Sequence, residues 1–387
     1  MKKILYVTGS RAEYGIMKRL LQQLKEDDSI DLSIVATGMH CDKKYGMTYK
    51  VIENDGFRVD KIIDIEINND TNAEIIKTMS RCLSEFGIYF QDNKFDAVMI
   101  LGDRYEIMSV ALAAAMHNLP IIHFHGGEKT LGNYDEFIRH SITKMSSLHL
   151  ASTHEYRKRI IQMGEHPSNV YDIGALGAEN SLLLTLPPKD VLEQKFGGLS
   201  KPYFVVVFHP ETLSGVSPEI QVQSLLKSLH SFIKKYNFVF IGSNSDTGSD
   251  KITQKIKNFC KENNTKYFVS ILPEEYLALC KYSQGLIGNS SSGLIEVPSL
   301  GVPTVNIGDR QKGRVHGTTV INCECSTEGI SEAIKKCLDE HYINGIKNAV
   351  NPYYKHNVMN NAYKHIKEFL LSNHEQYKDF YDVSFEL

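Results

Sequence analysis

Short apolar runs alternate with longer amphipathic ones along almost the whole chain, and this alternation restricts the possible folds more than any other feature. Residues 4–8, 32–37, 97–101 and 120–125 are rich in β-branched and aliphatic side chains, the pattern of strands buried in a parallel sheet. Between them, residues 14–25, 73–90, 105–117 and 136–145 space their apolar side chains at helical intervals. In the first of these, Met17, Leu20, Leu21 and Leu24 fall on one face. The order is βαβα, which predicts a doubly wound α/β sheet.

A second series of the same kind follows Leu186-Pro187-Pro188-Lys189-Asp190, where the proline pair cannot continue a helix and marks a linker. Strands are expected at 203–208, 238–241, 267–271, 285–287 and 304–307, with helices at 221–235, 250–262 and 294–300. A last amphipathic helix, 357–372, precedes a polar, aromatic tail. With roughly 100–200 residues per domain, 387 residues make two domains. The expected division is 1–186, 187–355, and a C-terminal helix and tail, 356–387, packing back on the first domain.

Composition narrows the class. With 42% hydrophobic and 23% charged residues the chain is an ordinary globular one. A net charge of −3 gives no electrostatic reason to expect nucleic acid or an anionic membrane as partner. The N-terminal apolar run is only about five residues, and nothing later approaches the ~18 needed to span a bilayer. Seven cysteines lack the paired spacing of a zinc site, and Cys323 and Cys325 lie one residue apart. Reduced thiols and a soluble, cytoplasmic protein are expected.

In open α/β sheets ligands collect beyond the carboxyl ends of the strands. After the strand at 285–287 comes Gly288-Asn289-Ser290-Ser291-Ser292-Gly293 and then an expected helix. Small residues there leave backbone N–H groups open to an anion, and the hydroxyls add donors. A plain serine cap explains part of this pattern, but three serines between glycines exceed what capping needs. The segment lacks the lysine and spacing of a P-loop, which argues against an ATPase. Glu296, one turn further, suits a pair of ribose hydroxyls or simply complements the helix dipole. Arg310 and Arg314, after the strand at 304–307, are candidates to neutralise a pyrophosphate. Two doubly wound halves with the diphosphate site in the second resemble the GT-B group of nucleotide-sugar enzymes.

The first half carries its polar residues at strand ends too. Gly9-Ser10-Arg11-Ala12-Glu13-Tyr14-Gly15, Gly102-Asp103-Arg104-Tyr105-Glu106 and His123-Phe124-His125-Gly126-Gly127-Glu128 each follow or end a strand. Tyr134-Asp135-Glu136-Phe137-Ile138-Arg139-His140 opens a helix soon after, and His209-Pro210-Glu211 holds the equivalent place in the second half. Any one of these could be a cap or a surface pair. Four clusters at successive strand ends of one sheet are harder to explain that way.

Together GSRAEYG, GDRYE, HFHGGE, YDEFIRHSITK, FHPET and GNSSSGLIEVPSLGVPTVNIGDRQKGR resemble the hydrolysing UDP-N-acetylglucosamine 2-epimerases of sialic acid synthesis, most closely the bacterial capsule type, over roughly residues 1–381. The resemblance implies conversion of UDP-N-acetylglucosamine and water to N-acetylmannosamine and UDP, with no metal or nicotinamide cofactor. It implies that Arg11 and Arg104 face the diphosphate from the first domain. Ser290, Ser291, Ser292 and Gly293 would meet it from the second, with Arg310 nearby and Glu296 on the ribose. Asp103, Asp135 and His209 would match acid–base or substrate-contacting positions, His209 also touching UDP. Many relatives carry a catalytic Glu where this chain has His125, so the acid–base role there is open and Glu128 is a candidate to share it. A homodimer or a pair of dimers, through helices of the first domain, is also implied.

Such a reaction needs two acid–base groups, one on each face of the sugar's C2. Loosening the C1–oxygen bond acidifies the C2 proton; one group removes it, and another returns a proton to the opposite face. Asp103 or His125 is expected to act first and Asp135 second. Rivals are a non-hydrolysing epimerase, a hydrolysing enzyme for UDP-N,N′-diacetylbacillosamine, a GT-B glycosyltransferase and a non-catalytic UDP-sugar sensor.

Overall fold

The computed structural model describes residues 1–372 and 378–384; the rest of the expected polar, aromatic tail lies outside the described residues. The apolar runs form two parallel sheets. The first contains β1 (Lys2–Thr8), β2 (Ile30–Thr37), β3 (Lys61–Ile63), β4 (Ala97–Leu101), β5 (Ile121–Phe124), β6 (Leu148–Ala151) and β7 (Val170–Asp172), in the order β3-β2-β1-β4-β5-β6-β7. The second contains β8 (Tyr203–Val207), β9 (Asn237–Ile241), β10 (Lys266–Phe268), β11 (Leu286–Gly288), β12 (Thr304–Ile307) and β13 (Val320–Cys323), in the order β10-β9-β8-β11-β12-β13. Each sheet therefore reverses its winding once, between β1 and β4 in the first and between β8 and β11 in the second.

Parallel strands have no exposed face, which is why β1, β4 and β8 read as continuous apolar runs. Helices cover both sides. Met17, Leu20, Leu21 and Leu24 of the helix Arg11–Lys25 enter the core beside Ile4 and Tyr6. The final helix, Val358–Leu371, joins that same core through Ala362, Ile366 and Phe369, so the chain ends on the lobe where it began. Beyond it Lys378 pairs with Glu165 at 2.7 Å, and the Tyr381 N–H donates to the Gly164 carbonyl at 3.0 Å. Among the described residues no helix is long and apolar enough to cross a membrane.

Some elements differ from the sequence-based expectation. The strands β3, β6, β7 and β13 were not expected; at three or four residues each they are too short to show a period. The helix expected at 294–300 is not one helix. Ser292–Ile295 makes a single turn and Val297–Leu300 a separate 3-10 turn, with Glu296 between them. Pro298 accounts for the break, since it lacks an N–H and its ring would clash with the carbonyl of Leu294 in a continued helix.

At Gly288, φ is +146°, and a Cβ there would collide with the Val207 carbonyl of the neighbouring strand. That close approach brings β8 and β11 together where the second sheet reverses. Gly288→Ala is expected to lower the unfolding free energy by about 2–4 kcal/mol, read from urea denaturation of the purified chain.

Candidate active site between the lobes

The two reversal points face each other, and a cavity of about 220 Å³ lies between them. Ser10 and Arg11, just past β1, line it from the first lobe, with Ile16, Met39, Gly177 and Asn180. From the second lobe come His209, past β8; Ser243 and Asn244, past β9; Val269 to Ile271; and Ser290, Ser292 and Glu296, past β11. The Ser10 side chain accepts from the Glu13 N–H and starts the helix that presents Arg11. Burial lowers Arg11 to about 10 although Glu275 and Glu274 oppose the shift.

Within the serine segment the hydroxyls diverge. Ser290 and Ser292 line the cavity, and their hydroxyls lie 3.2 Å apart, with Tyr276 also bonded to Ser292. Ser291 is not among the lining residues, and Gly293 sits against Thr304 and Leu286 of the sheet. A helix of one turn contributes little dipole, so the expected anion site rests on hydroxyls and Arg11 instead. Glu296 faces the cavity from the break after that turn, with Gly177 pressed against its carboxylate. Burial pushes Glu296 up to about 7.

Asn289 ties the cavity to a second polar group. Its side chain accepts from the His209 N–H at 2.7 Å and donates to the His209 carbonyl at 2.9 Å. The Asn289 carbonyl in turn accepts from Arg310 at 3.2 Å and Gln311 at 2.8 Å. His209 Nδ1 lies 2.9 Å from the Ser243 hydroxyl. Burial, reinforced by Arg310, holds His209 neutral, well below the usual imidazole range.

The second group is a lattice of carboxylates and arginines drawn from both lobes. Asp103 is held by Arg139, whose Nε donates at 2.8 Å. Glu128, fully buried, pairs with Arg314 of the second lobe at 2.6 Å, lies 3.0 Å from His125 Nδ1, and accepts from the Ser152 hydroxyl at 2.7 Å. Asp135 accepts from the Asn133 amide at 2.9 Å and lies 3.7 Å from Arg310, which also meets Asp246 at 3.5 Å. His125 has φ +66°, a left-handed backbone that is uncommon outside glycine and clusters at functional sites.

These carboxylates are driven apart. Burial opposes the ionisation of Asp103, but Arg139 and Arg314 outweigh it and the net shift is downward. Burial is likewise overcome at Glu128 by Arg314 and His125, which hold it well below the usual carboxylate range. Asp135 goes the other way: burial, then the charges of Asp103 and Asp246, push it up to about 8.

Of the residues expected to meet a nucleotide, Arg11, His209, Ser290, Ser292 and Glu296 line the cavity, whereas Arg104, Ser291, Gly293 and Arg310 do not. Arg104 lies between Glu106 at 2.5 Å and Glu13 at 3.7 Å and donates to Ser245 across the cleft at 2.5 Å. Asp103, His125, Glu128 and Asp135 belong to the carboxylate lattice. Sequence reading gave no role to Asn289 or Asp246 and no partner to Arg139. Ser243-Asn244-Ser245-Asp246 follows β9, so the strand-end rule contained a signal that went unused.

The lobes meet through main-chain bonds as well. The Leu131 N–H donates to the Lys312 carbonyl at 3.1 Å, and the Leu213 N–H to the Gly132 carbonyl at 3.2 Å. A Cβ at Gly132 would come 2.5 Å from the Asp309 carbonyl oxygen, so only glycine fits this contact. The loop between Glu128 and Asp135 is thereby fixed to the loop that carries Arg310 and Arg314.

Comparison with known proteins agrees with this architecture. The chain is 58% identical over 383 residues to the polysialic acid biosynthesis protein P7 of Escherichia coli, covering 99% of this chain and 98% of that one. It is 38% identical to the GDP/UDP-N,N′-diacetylbacillosamine 2-epimerase (hydrolyzing) of Campylobacter jejuni, with 84% of each chain covered. A crystal structure of UDP-GlcNAc 2-epimerase from Neisseria meningitidis bound to UDP-GlcNAc superposes with a TM-score of 0.78 at 21% identity, over 96% of this chain and 100% of that one, and shows the shared GT-B-like fold. Residues 22–367 match the family described as UDP-N-acetylglucosamine 2-epimerase, and the chain belongs to that family.

Proposed function

We propose that the protein is a hydrolysing epimerase that converts UDP-N-acetylglucosamine and water to N-acetylmannosamine and UDP, the first step toward sialic acid. The observation that carries this reading is the opposite poise of Asp103, favouring its anion, and Asp135, favouring its acid. Arg11, Ser290 and Ser292 hold the diphosphate, and Glu296 takes the ribose hydroxyls. His209, kept neutral, contacts the nucleotide from above β8. Arg104 and Arg310 act from behind, as sources of positive potential toward the leaving phosphate.

The C1–oxygen bond breaks with its electron pair leaving on UDP, in an anti elimination. Asp103 or the His125–Glu128 pair removes the C2 proton, and a glycal forms. Water then adds its hydroxyl at C1, its other proton passing to solvent, while Asp135, as the acid, delivers a proton to the opposite face of C2. The product carries one hydrogen at C2 taken from solvent. Inversion follows from using two faces.

The Campylobacter relative favours a second substrate, UDP-N,N′-diacetylbacillosamine, which differs in the groups at C4 and C6. The protein is proposed to work in the cytoplasm as a homo-oligomer. Exposed Ile76, Ile88, Met116 and Phe137, on helices of the first lobe, support self-association.

Incubation with each UDP-sugar in heavy water, followed by ¹H and ³¹P NMR, separates the readings. Free N-acetylmannosamine with deuterium at C2, plus UDP, is expected from the first substrate. A UDP-linked epimer would overturn hydrolysis, and turnover of the diacetylated sugar alone would transfer the assignment to it. Asp103→Asn and Asp135→Asn should each lower kcat by about 10²–10⁴-fold while UDP still binds in calorimetry. Full activity in either variant removes that residue from the mechanism.

A pH profile tests the poise directly. Asp135 must be protonated to act as the acid, so kcat should fall as pH rises through about 8. A profile flat from neutrality to pH 9.5 or so would show that Asp135 is not the proton donor.

A further inference from the structure

A closed circuit of hydrogen bonds lies behind Arg314, outside the cavity and outside the carboxylate lattice. The Val315 N–H donates to the Tyr156 hydroxyl at 2.8 Å, and the Tyr353 hydroxyl donates to the Val315 carbonyl at 2.8 Å. The two hydroxyls are 2.9 Å apart. Because the Tyr353 proton is committed to Val315, Tyr156 donates to Tyr353 and the ring of bonds closes. Both side chains are fully buried, and burial pushes Tyr156 up to about 12 and Tyr353 well above the usual phenol range, so both stay neutral. Three segments are joined here: a first-lobe helix, a second-lobe loop and the returning chain.

The peptide gripped by this circuit is the one that follows Arg314. Arg314 donates to Gln311 at 2.8 Å and pairs with Glu128 at 2.6 Å. Gly313, at φ +90°, turns the chain just before it against Lys129. The helix His154–Gln162 that supplies Tyr156 also braces the other partner. A Cβ at Gly127 would lie 2.6 Å from the Tyr156 carbonyl oxygen, and the Arg159 guanidinium donates to the Gly127 carbonyl. One helix therefore sets the register of Glu128 and of Arg314, which come from different lobes.

We propose that Tyr156 and Tyr353 are positioning residues, whose hydroxyl circuit fixes the Arg314–Val315 peptide so that Arg314 stays on Glu128 and Glu128 orients His125. The proposal rests on the reading of Glu128 and His125 as part of the acid–base machinery. Losing either hydroxyl leaves a part-buried main-chain group of Val315 without its partner, and the loop carrying Arg314 is expected to shift to satisfy it. Glu128 then loses its strongest counter-charge. The other groups facing Glu128 are His125, Arg139, Asp103, Ser152 and the two tyrosines. Of these, the Arg139 side chain pairs with Asp103 and donates to the Glu128 carbonyl, not to its carboxylate.

The test uses Tyr156→Phe and Tyr353→Phe in the full chain, alone and in a Glu128→Gln background, with UDP release as readout. Each Phe variant is expected to lower kcat about tenfold with KM within about twofold, and to move the acid limb of kcat/KM to higher pH as Glu128 becomes easier to protonate. In the Glu128→Gln background the same changes should have no further effect on kcat. Equal losses in both backgrounds would overturn the proposal, as would a fall in Tm with kcat and the acid limb unchanged. Should the Phe variants not fold, 3-fluorotyrosine at either position keeps the ring and perturbs only the circuit; the acid limb must then still move. If Glu128→Gln alone turns over normally, the site reading fails and the clasp with it, an outcome visible without any tyrosine variant.

Discussion

A carboxylate buried without a counter-charge costs several kcal/mol, and Glu128 is fully buried with its strongest partner in the other lobe. That pairing ties the geometry of the cleft to the protonation of its residues. When the lobes are together, Arg314 keeps Glu128 ionised, Glu128 orients His125, and the Leu131–Lys312 and Leu213–Gly132 bonds hold the intervening loop in place. Separating the lobes would leave Glu128 to water or to a proton. Asp135 also faces a cation of the other lobe, Arg310 at 3.7 Å, but there burial and the charges of Asp103 and Asp246 prevail and favour the acid. The carboxylate–arginine lattice is thus a property of the two lobes together and not of either one.

The two sheets contribute unlike things to that cleft. The reversal point of the first delivers Ser10 and Arg11 beyond β1 and Asp103 beyond β4. That of the second delivers His209 beyond β8 and the serines beyond β11. One pattern of winding, used twice, therefore places cation and carboxylate opposite hydroxyl and imidazole. Asn289 sits where the two functions join, bonded through its side chain to His209 and through its carbonyl to Arg310.

Much of this was legible in the residues, for physical reasons. The strands at 97–101 and 304–307 coincide with the apolar runs because a buried parallel strand admits little else. The strand-end rule led to Ser10, Arg11, His209, Ser290, Ser292 and Glu296 in the cleft, since ligands of a doubly wound sheet collect beyond the carboxyl ends of its strands, but Asn180, Ser243, Asn244 and Tyr276 were not singled out. What composition and spacing could not carry was partnership. Arg104 was read as facing a diphosphate, and spacing gave no hint that Glu13 and Glu106 pair with it or that it reaches Ser245 across the cleft. Arg314 read as a phosphate candidate because nothing in its neighbourhood along the chain announces Glu128, nearly two hundred residues earlier. The helix after the serines failed for a local reason that Pro298 could have supplied.

The return of the chain to its first lobe has a mechanical meaning. The polypeptide passes between the lobes twice, once after the helix Leu176–Leu183 and again before the helix Val358–Leu371. The two passages run beside each other: the Ala175 N–H bonds the Tyr353 carbonyl at 2.9 Å, and Glu179 caps Val358 and Met359 at 2.8 and 3.2 Å. A single tether would act as a swivel and let the lobes meet at any azimuth. Two tethers fastened along one edge act as a door hinge, which removes twist and leaves a single swing. Were the lobes to part, such a hinge would bring Arg314 back to the same carboxylate.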